Sequence, residues 1–240
     1  MRAGAAVKLL VLSWRVFCYF LGALIVVLAL YQFWIFAQIL YWSGHNPETT
    51  RFMDARLEAA RRRIPNARLR QQWVGYQQVS PHLKRAVIIA EDAKFIDHEG
   101  FDWEGIQRAI EKNQQRGKVV AGGSTITQQL AKNLFLSGER STLRKGEEAV
   151  IAAMLEAVMD KRRIFELYLN VAEWGEGVFG VEAAAQHYFG VSAMDLTQEQ
   201  AARLAAMLPR PRFYDRNRDS PYLETYSDSI LVNMSAAQIP

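Results

Sequence analysis

From Val16 to Pro47 the chain carries no Lys, Arg, Asp or Glu. The heart of this run, Val16 to Trp42, is 27 residues, longer than the roughly 20 that an α-helix needs to cross a bilayer. Inside lipid no water reaches the backbone, so a single segment of this kind must satisfy its own amides and is helical. Tyr19, Tyr31, Trp34, Tyr41 and Trp42 include aromatics suited to the membrane interfaces. Arg2, Lys8 and Arg15 precede the run and no further cation occurs until Arg51, which predicts a cytoplasmic N-terminus and an extracytoplasmic remainder. A cleaved signal peptide is the competing reading. The run is too long for an apolar core of about 7–15 residues, and no small-x-small site closes it. The expected layout is therefore a cytoplasmic N-terminus over 1–15, an anchor over 16–42, a juxtamembrane connector over 43–79 and an outer domain over 80–240.

A chain of 240 residues leaves room beyond the anchor for one stable core. Its single cysteine, Cys18, lies in the apolar run, so no intrachain disulfide can form. The net charge of +4 suits nucleic acid, anionic headgroups or a phosphorylated substrate, without choosing among them. The connector is basic, with Arg56, Arg61, Arg62, Arg63, Arg68 and Arg70. It reads first as a solvated helix face and second as a contact for anionic headgroups. Gly75 among Gln71, Gln72, Gln77 and Gln78 predicts an extended or irregular stretch.

From Ser80 onward the punctuation is helical. Ser80-Pro81 places an N-cap before a proline at the first helical position, and Leu83, Ala86, Val87 and Ala90 follow at helical spacing. Asp102 predicts a second cap, Ser124 a third, and Thr142 a fourth, for a helix running to about Met159. Arg163–Val171 and Val181–Tyr188 continue the pattern, and Thr197 with Gln200 forms a capping box before Ala201–Leu208. Lys118-Val119-Val120 is the best strand candidate. Gly122-Gly123 and the stretch from Gly175 to Gly180 predict turns, and the chain after Pro209 reads as irregular with a short helix-compatible tail. The expected fold class is all-α.

Three segments carry reactive groups. Glu91 prolongs the apolar face of a helix, where a carboxylate costs energy unless it has a role, and a carboxylate so placed is a candidate general base. Asp92, His98 and Asp102 read equally well as functional groups or as caps and surface polars, and Phe95 and Phe101 as core. In Gly122-Gly123-Ser124-Thr125-Ile126-Thr127-Gln128-Gln129-Leu130-Ala131-Lys132-Asn133, a glycine pair and hydroxyls at a helix start suit an anionic oxygen. By composition this is a sugar or phosphate cradle, or a well-capped helix. It lacks the Gly-Lys-Ser/Thr order of a P-loop. In Arg144-Lys145-Gly146-Glu147-Glu148, spacings of four and three place both cations on the face of Glu148. The reading is open between a surface ion pair and a cationic pyrophosphate site in which Glu148 orients the cations or shares a metal.

Together these segments resemble the successive signatures of the peptidoglycan glycosyltransferases: E-D-x-x-F-x-x-H-x-G, then G-G-S-T-I-T-Q-Q-L-A-K-N, then R-K-x-x-E. A fourth appears as Ile164-Phe165-Glu166-Leu167-Tyr168-Leu169-Asn170, with Phe165 the departure from the usual I-L-E-x-Y-L-N, and a fifth as Ala183-Ala184-Ala185-Gln186-His187-Tyr188-Phe189. The resemblance implies a two-lobed, lysozyme-like, all-α catalytic domain of the monofunctional type. It implies polymerisation of lipid II into glycan strands by an inverting transfer that forms β-1,4 links and releases undecaprenyl pyrophosphate. In this likeness Glu91 is the catalytic base and Glu148 the second catalytic glutamate, with Ser124, Thr125, Gln128, Gln129, Lys132, Asn133, Arg144 and Lys145 binding substrate. A divalent ion, Mg or Mn, is left open, and no organic cofactor is implied. The implied partners are lipid II, the growing lipid-linked strand, the membrane and other cell-wall synthesis proteins, and not nucleic acid. The implied location is the bacterial inner membrane, with the catalytic domain periplasmic. A lysozyme-like hydrolase and a membrane-anchored basic binding module are the alternatives.

Overall fold

The computed structural model describes residues 2–117, 122–136 and 141–240, with side chains from residue 11 onward. It falls into two units, Met1–Gly44 and His45–Pro240. The first is one helix, α1 (Arg2–Trp42). Of this, Val11–Trp42 is apolar enough to cross a membrane, at a mean hydropathy of 2.2. α1 thus contains the whole charge-free run from Val16 to Trp42 and continues N-terminally past Arg15 and Lys8.

The second unit is built from ten helices among the described residues, with a small sheet at one edge. α2 (Arg51–Arg61) is capped by Thr50, whose hydroxyl accepts from the Met53 amide. α3 (Pro81–Glu91) starts at Ser80-Pro81 as expected and buries Leu83, Ala86, Val87 and Ile88. It stops because Asp92 leaves helical geometry, at φ −163°. α4 (Trp103–Arg116) is capped by Asp102 and closed by Gly117 in the left-handed region, at φ +61°. α5 (Ile126–Phe135) is capped by Thr125 in a capping box with Gln128, and α6 (Thr142–Val158) by Ser141. Both caps lie one residue from the Ser124 and Thr142 positions expected, since neighbouring hydroxyls compete for the same amides. α7 (Lys161–Val171), α8 (Val181–Phe189) and α9 (Gln198–Met207) follow, the last behind the expected Thr197/Gln200 box.

The chain after Pro209 is not irregular. Pro211 and Pro221 each sit at the start of a helix, α10 (Pro211–Arg216) and α11 (Pro221–Asn233). A proline at a first helical position loses no hydrogen bond, so the two prolines that read as breakers are starts.

Two strands expected nowhere pair around a third. β1 (Arg70–Gln71) runs parallel to β3 (Val178–Phe179), which is antiparallel to β2 (Glu173–Gly175). The strand candidate at Lys118–Val120 lies outside the described residues. The turn into β3 uses Gly177, at φ +71°, and the exit uses Gly180, at φ +78°. Phe95, Phe165, Tyr168 and Trp174 are fully buried, while Phe101 stays at the edge, stacked on Trp103 at 5.4 Å. The helices pack in two groups: α9 with α3 and α11, and α5 with α2, α6 and α7. Asn170 ties the connector to the second group, its amide bonding both Val74 N–H and Val74 C=O at 3.0 Å.

Candidate active site

Glu91 is the last residue of α3 and reaches from the first helix group toward the second. Its Oε2 accepts from Gln129 Nε2 on α5 at 2.6 Å, and Gln129 Oε1 accepts from the Tyr168 hydroxyl on α7 at 3.3 Å. Tyr168 is buried, and its hydroxyl is held well above its ordinary pKa by that burial, so it stays a donor. This chain fixes which way the Gln129 amide points and hence which Glu91 oxygen it occupies. Glu91 Oε1 is buried and has no hydrogen-bond partner. Desolvation pushes the Glu91 carboxyl up to about 7, against the opposing pull of Gln129 and Lys132.

The neighbouring carboxylate is differently employed. Asp92 is buried, both its oxygens face His98 Nε2 at 2.9 and 3.1 Å, and Oδ2 also accepts the Ile126 amide at 3.0 Å. Asp92 thus pins the first turn of α5 to the end of α3, where the helix dipole favours a negative charge. Of the acidic and imidazole groups read ambiguously in this segment, Asp92, His98 and Asp102 are framework.

Lys132, two turns into α5, and Arg144, Lys145 and Glu148 on α6 form the cationic counterpart. Glu148 is buried and pairs with Lys145 Nζ, with Arg144 Nη1 3.8 Å from its other oxygen. The i+3 and i+4 spacings do place the three on one face. Lys145 Nζ also donates to Ser124 Oγ at 3.0 Å, so Ser124, rejected as the helix cap, anchors a cation instead. Arg144 has buried Nε and Nη1 atoms without a hydrogen-bond partner. Burial is the main cause holding Lys132 below its ordinary value, partly offset by Glu148 and Glu91.

Lys132, Asn133, Arg144, Lys145 and Glu148 line a cleft of about 940 Å³. Glu91 lines a smaller one of about 260 Å³, with Asp92, Gly122, Gly123 and Thr125. Ser124 belongs to both walls. Gln129 and Tyr168 line the larger cleft, so the hydrogen-bonded chain to Glu91 joins the two. Thr125 and Gln128 are occupied by the capping box, and Thr125 Oγ1 also donates to Gly100 C=O at 2.7 Å. Gln128 lines neither cleft.

Among the residues of the larger cleft that sequence reasoning missed, three stand out. Phe52 and Arg56 come from α2, in the segment read as a solvated connector, and Glu173 from β2. Arg56 Nε and Nη2 donate to Glu173 Oε2 at 3.1 and 2.9 Å. The i, i+4 spacing of Phe52 and Arg56 and the apolar setting of Glu173 between Ala172 and Trp174 were the available signals. Among the described residues no group of three or more His, Cys, Asp or Glu side chains could hold a metal ion. The neighbours of Glu148 are cations, a donor set that does not suit a divalent ion.

The arrangement pairs one uncommitted carboxylate with a cationic cleft, which is what transfer of a glycosyl group from an anionic leaving group requires. Comparison with known proteins agrees. The chain is 58% identical over 227 residues to the biosynthetic peptidoglycan transglycosylase of Nitrosospira multiformis, covering 95% of this chain and 97% of that protein. It is 60% identical over 216 residues to the protein of that name from Methylobacillus flagellatus, covering 90% and 94%. With the one from Chromobacterium violaceum it shares 52% over 226 residues, covering 94% and 99%. A family model described as Transglycosylase matches residues 58–235, and the chain belongs to the transglycosylase family.

Proposed function

We propose that this transglycosylase, a membrane-anchored enzyme, polymerises the glycan strands of peptidoglycan from lipid II. The observation that carries the reading is Glu91: a carboxylate whose Oε2 is held by Gln129 and whose Oε1 has no partner, poised at about 7, next to a cluster of cations. A general base works best with a proton affinity near the operating pH.

In this mechanism the 4-hydroxyl of the acceptor sugar gives its proton to Glu91 Oε1 as its oxygen attacks the donor's anomeric carbon. The carbon–oxygen bond to the diphosphate breaks as the new glycosidic bond forms, and undecaprenyl pyrophosphate departs with the bonding pair. One displacement inverts the anomeric centre, giving a β-1,4 link without a covalent enzyme intermediate. Lys132, Arg144 and Lys145 stabilise charge gathering on the leaving diphosphate, where preorganised cations outperform water. Glu148 keeps Lys145 and Arg144 in place. A hydrolase would need no such cation cluster, and the cleft therefore favours transfer. The anchor keeps the enzyme on the membrane that carries a polyprenyl substrate. The cations before the span, Arg2, Lys8 and Arg15, support a cytoplasmic N-terminus and an outer catalytic unit.

The test is incubation of the detergent-solubilised chain with labelled lipid II, resolved on a glycan gel. Wild type gives ladders; Glu91→Gln folds and gives none; Glu148→Gln is slowed on the order of 10²-fold. Normal ladders from folded Glu91→Gln would remove Glu91 as the base, and shortening of preformed glycan would turn the reading to a hydrolase.

A further inference from the structure

The larger cleft contains a cation that neither the motifs nor the mechanism above uses. Arg56 projects from α2 into the cleft wall, its guanidinium 4.7 Å from the ring centre of Phe52. Lys132 Nζ lies 6.0 Å from the same ring. Phe52 thus has a cation on each of two neighbouring elements, α2 and α5, which pack together. An aromatic face holds a guanidinium without consuming its N–H donors, so Phe52 fixes the place of Arg56 and leaves its hydrogen bonding to others. Two of its nitrogens, Nε and Nη2, bond one oxygen of Glu173. No acceptor among the described residues takes Nη1. Both line the cleft, but the Arg56 side chain is 34% exposed and that of Glu173 6%, so the guanidinium is the more accessible member of the pair.

The charge balance of the lining points the same way. Arg56, Lys132, Arg144 and Lys145 face Glu148 and Glu173, leaving two positive charges in excess. Glu148 already serves the pair on α6, and Glu173 engages only one edge of the Arg56 guanidinium, through one oxygen, leaving the other edge open to an anion. Arg is the side chain best shaped for two-point contact with phosphate oxygens.

We propose that Arg56 is a further substrate-binding residue, a ligand for the diphosphate of the lipid-linked donor. Glu173 holds it in place and competes with the incoming anion. The assignment rests on the diphosphate reading of the cleft given above. It makes α2, in the segment immediately following the anchor, part of the binding site rather than a spacer. A guanidinium shared between a buried carboxylate and a ligand predicts opposite effects for its two neighbours. Removing the arginine weakens anion binding; neutralising the glutamate frees the arginine and strengthens it.

The experiment is titration of the full-length chain in detergent with inorganic pyrophosphate by calorimetry, using wild type, Arg56→Gln, Arg56→Lys, Glu173→Gln and Lys132→Gln. Each protein is first checked for native helicity. Expected are a loss of affinity of roughly tenfold for Arg56→Gln, partial recovery in Arg56→Lys, and a gain of several-fold for Glu173→Gln. The salt dependence of binding flattens in Arg56→Gln, because one fewer cation meets the anion. A purely structural clamp predicts that Arg56→Gln and Glu173→Gln weaken binding alike, and that result overturns the proposal. So does unchanged affinity in Arg56→Gln while Lys132→Gln loses it, which leaves the diphosphate reading intact. If wild type itself binds no pyrophosphate while still elongating glycan from lipid II, the diphosphate assignment of the cleft falls first and that of Arg56 with it.

Discussion

Glu91 and Asp92 are adjacent carboxylates separated by their hydrogen-bond donors. Asp92 receives an imidazole and a helix-terminal amide, while Glu91 receives one amide N–H and keeps Oε1 unpartnered. A desolvated acid with few donors holds its proton to higher pH, and the value near 7 for Glu91 follows. In the proposed mechanism Glu91 must be ionised to act as the base, so the rate of polymerisation is expected to rise about tenfold per pH unit below 7 and to level off above it, as a pH–rate profile measures. Stability runs the other way. Between the ordinary value of 4.5 and about 7, the unfolded chain has released this proton and the folded chain has not. Folding stability therefore falls as pH rises through that window. Glu91→Gln escapes the cost, and its advantage over wild type in denaturant titrations grows from near zero at pH 4 to something on the order of 3 kcal/mol at pH 8. Equal pH dependence in both proteins would mean that Glu91 ionises normally.

Among the elements, the helices were legible where a cap and an apolar face coincide, as at Ser80-Pro81, Asp102 and Thr197 with Gln200. They were legible to within one residue where hydroxyls sit side by side, as at Ser124-Thr125 and Ser141-Thr142. The sheet was not legible, because strands of two or three residues are too short to show an alternating pattern. Their pairing depends on the backbone turn at Gly177 and Gly180. A methyl at Gly180 would lie 2.8 Å from the Asn170 carbonyl oxygen, at a φ of +78° that L side chains resist. Gly180→Ala is accordingly expected to cost about 2–4 kcal/mol. That lowers the melting temperature of the solubilised protein by roughly 5–10 °C, and an unchanged melting curve would refute the argument. The cleft motifs on α5 and α6 were readable because their partners lie a helical turn or two apart. Arg56 and Glu173 were not, because nothing local in either segment points to the other.

For the whole molecule, the two compact units divide the labour: α1 is long and apolar enough to cross a membrane, and residues 45–240 carry every residue assigned above to the proposed reaction. Deleting residues 1–44 should leave the helical circular-dichroism signature of residues 45–240 and move the protein from pelleted vesicles to the supernatant. Continued co-sedimentation would show that residues 45–240 carry a membrane attachment of their own. The Arg56–Glu173 contact joins positions 117 residues apart in sequence, and β1 meets β3 across a similar interval. Closing so long a loop is among the slower events of folding, because chain entropy is lost before the contact returns it. During synthesis α2 exists long before its carboxylate partner has been made. The Pro209 and Pro211 rim of the cleft comes later still. On the proposed function, a chain held at the membrane by its first helix therefore waits through most of its own translation with an unfinished pocket, and gains its proposed grip on an anionic substrate only near the end of its birth.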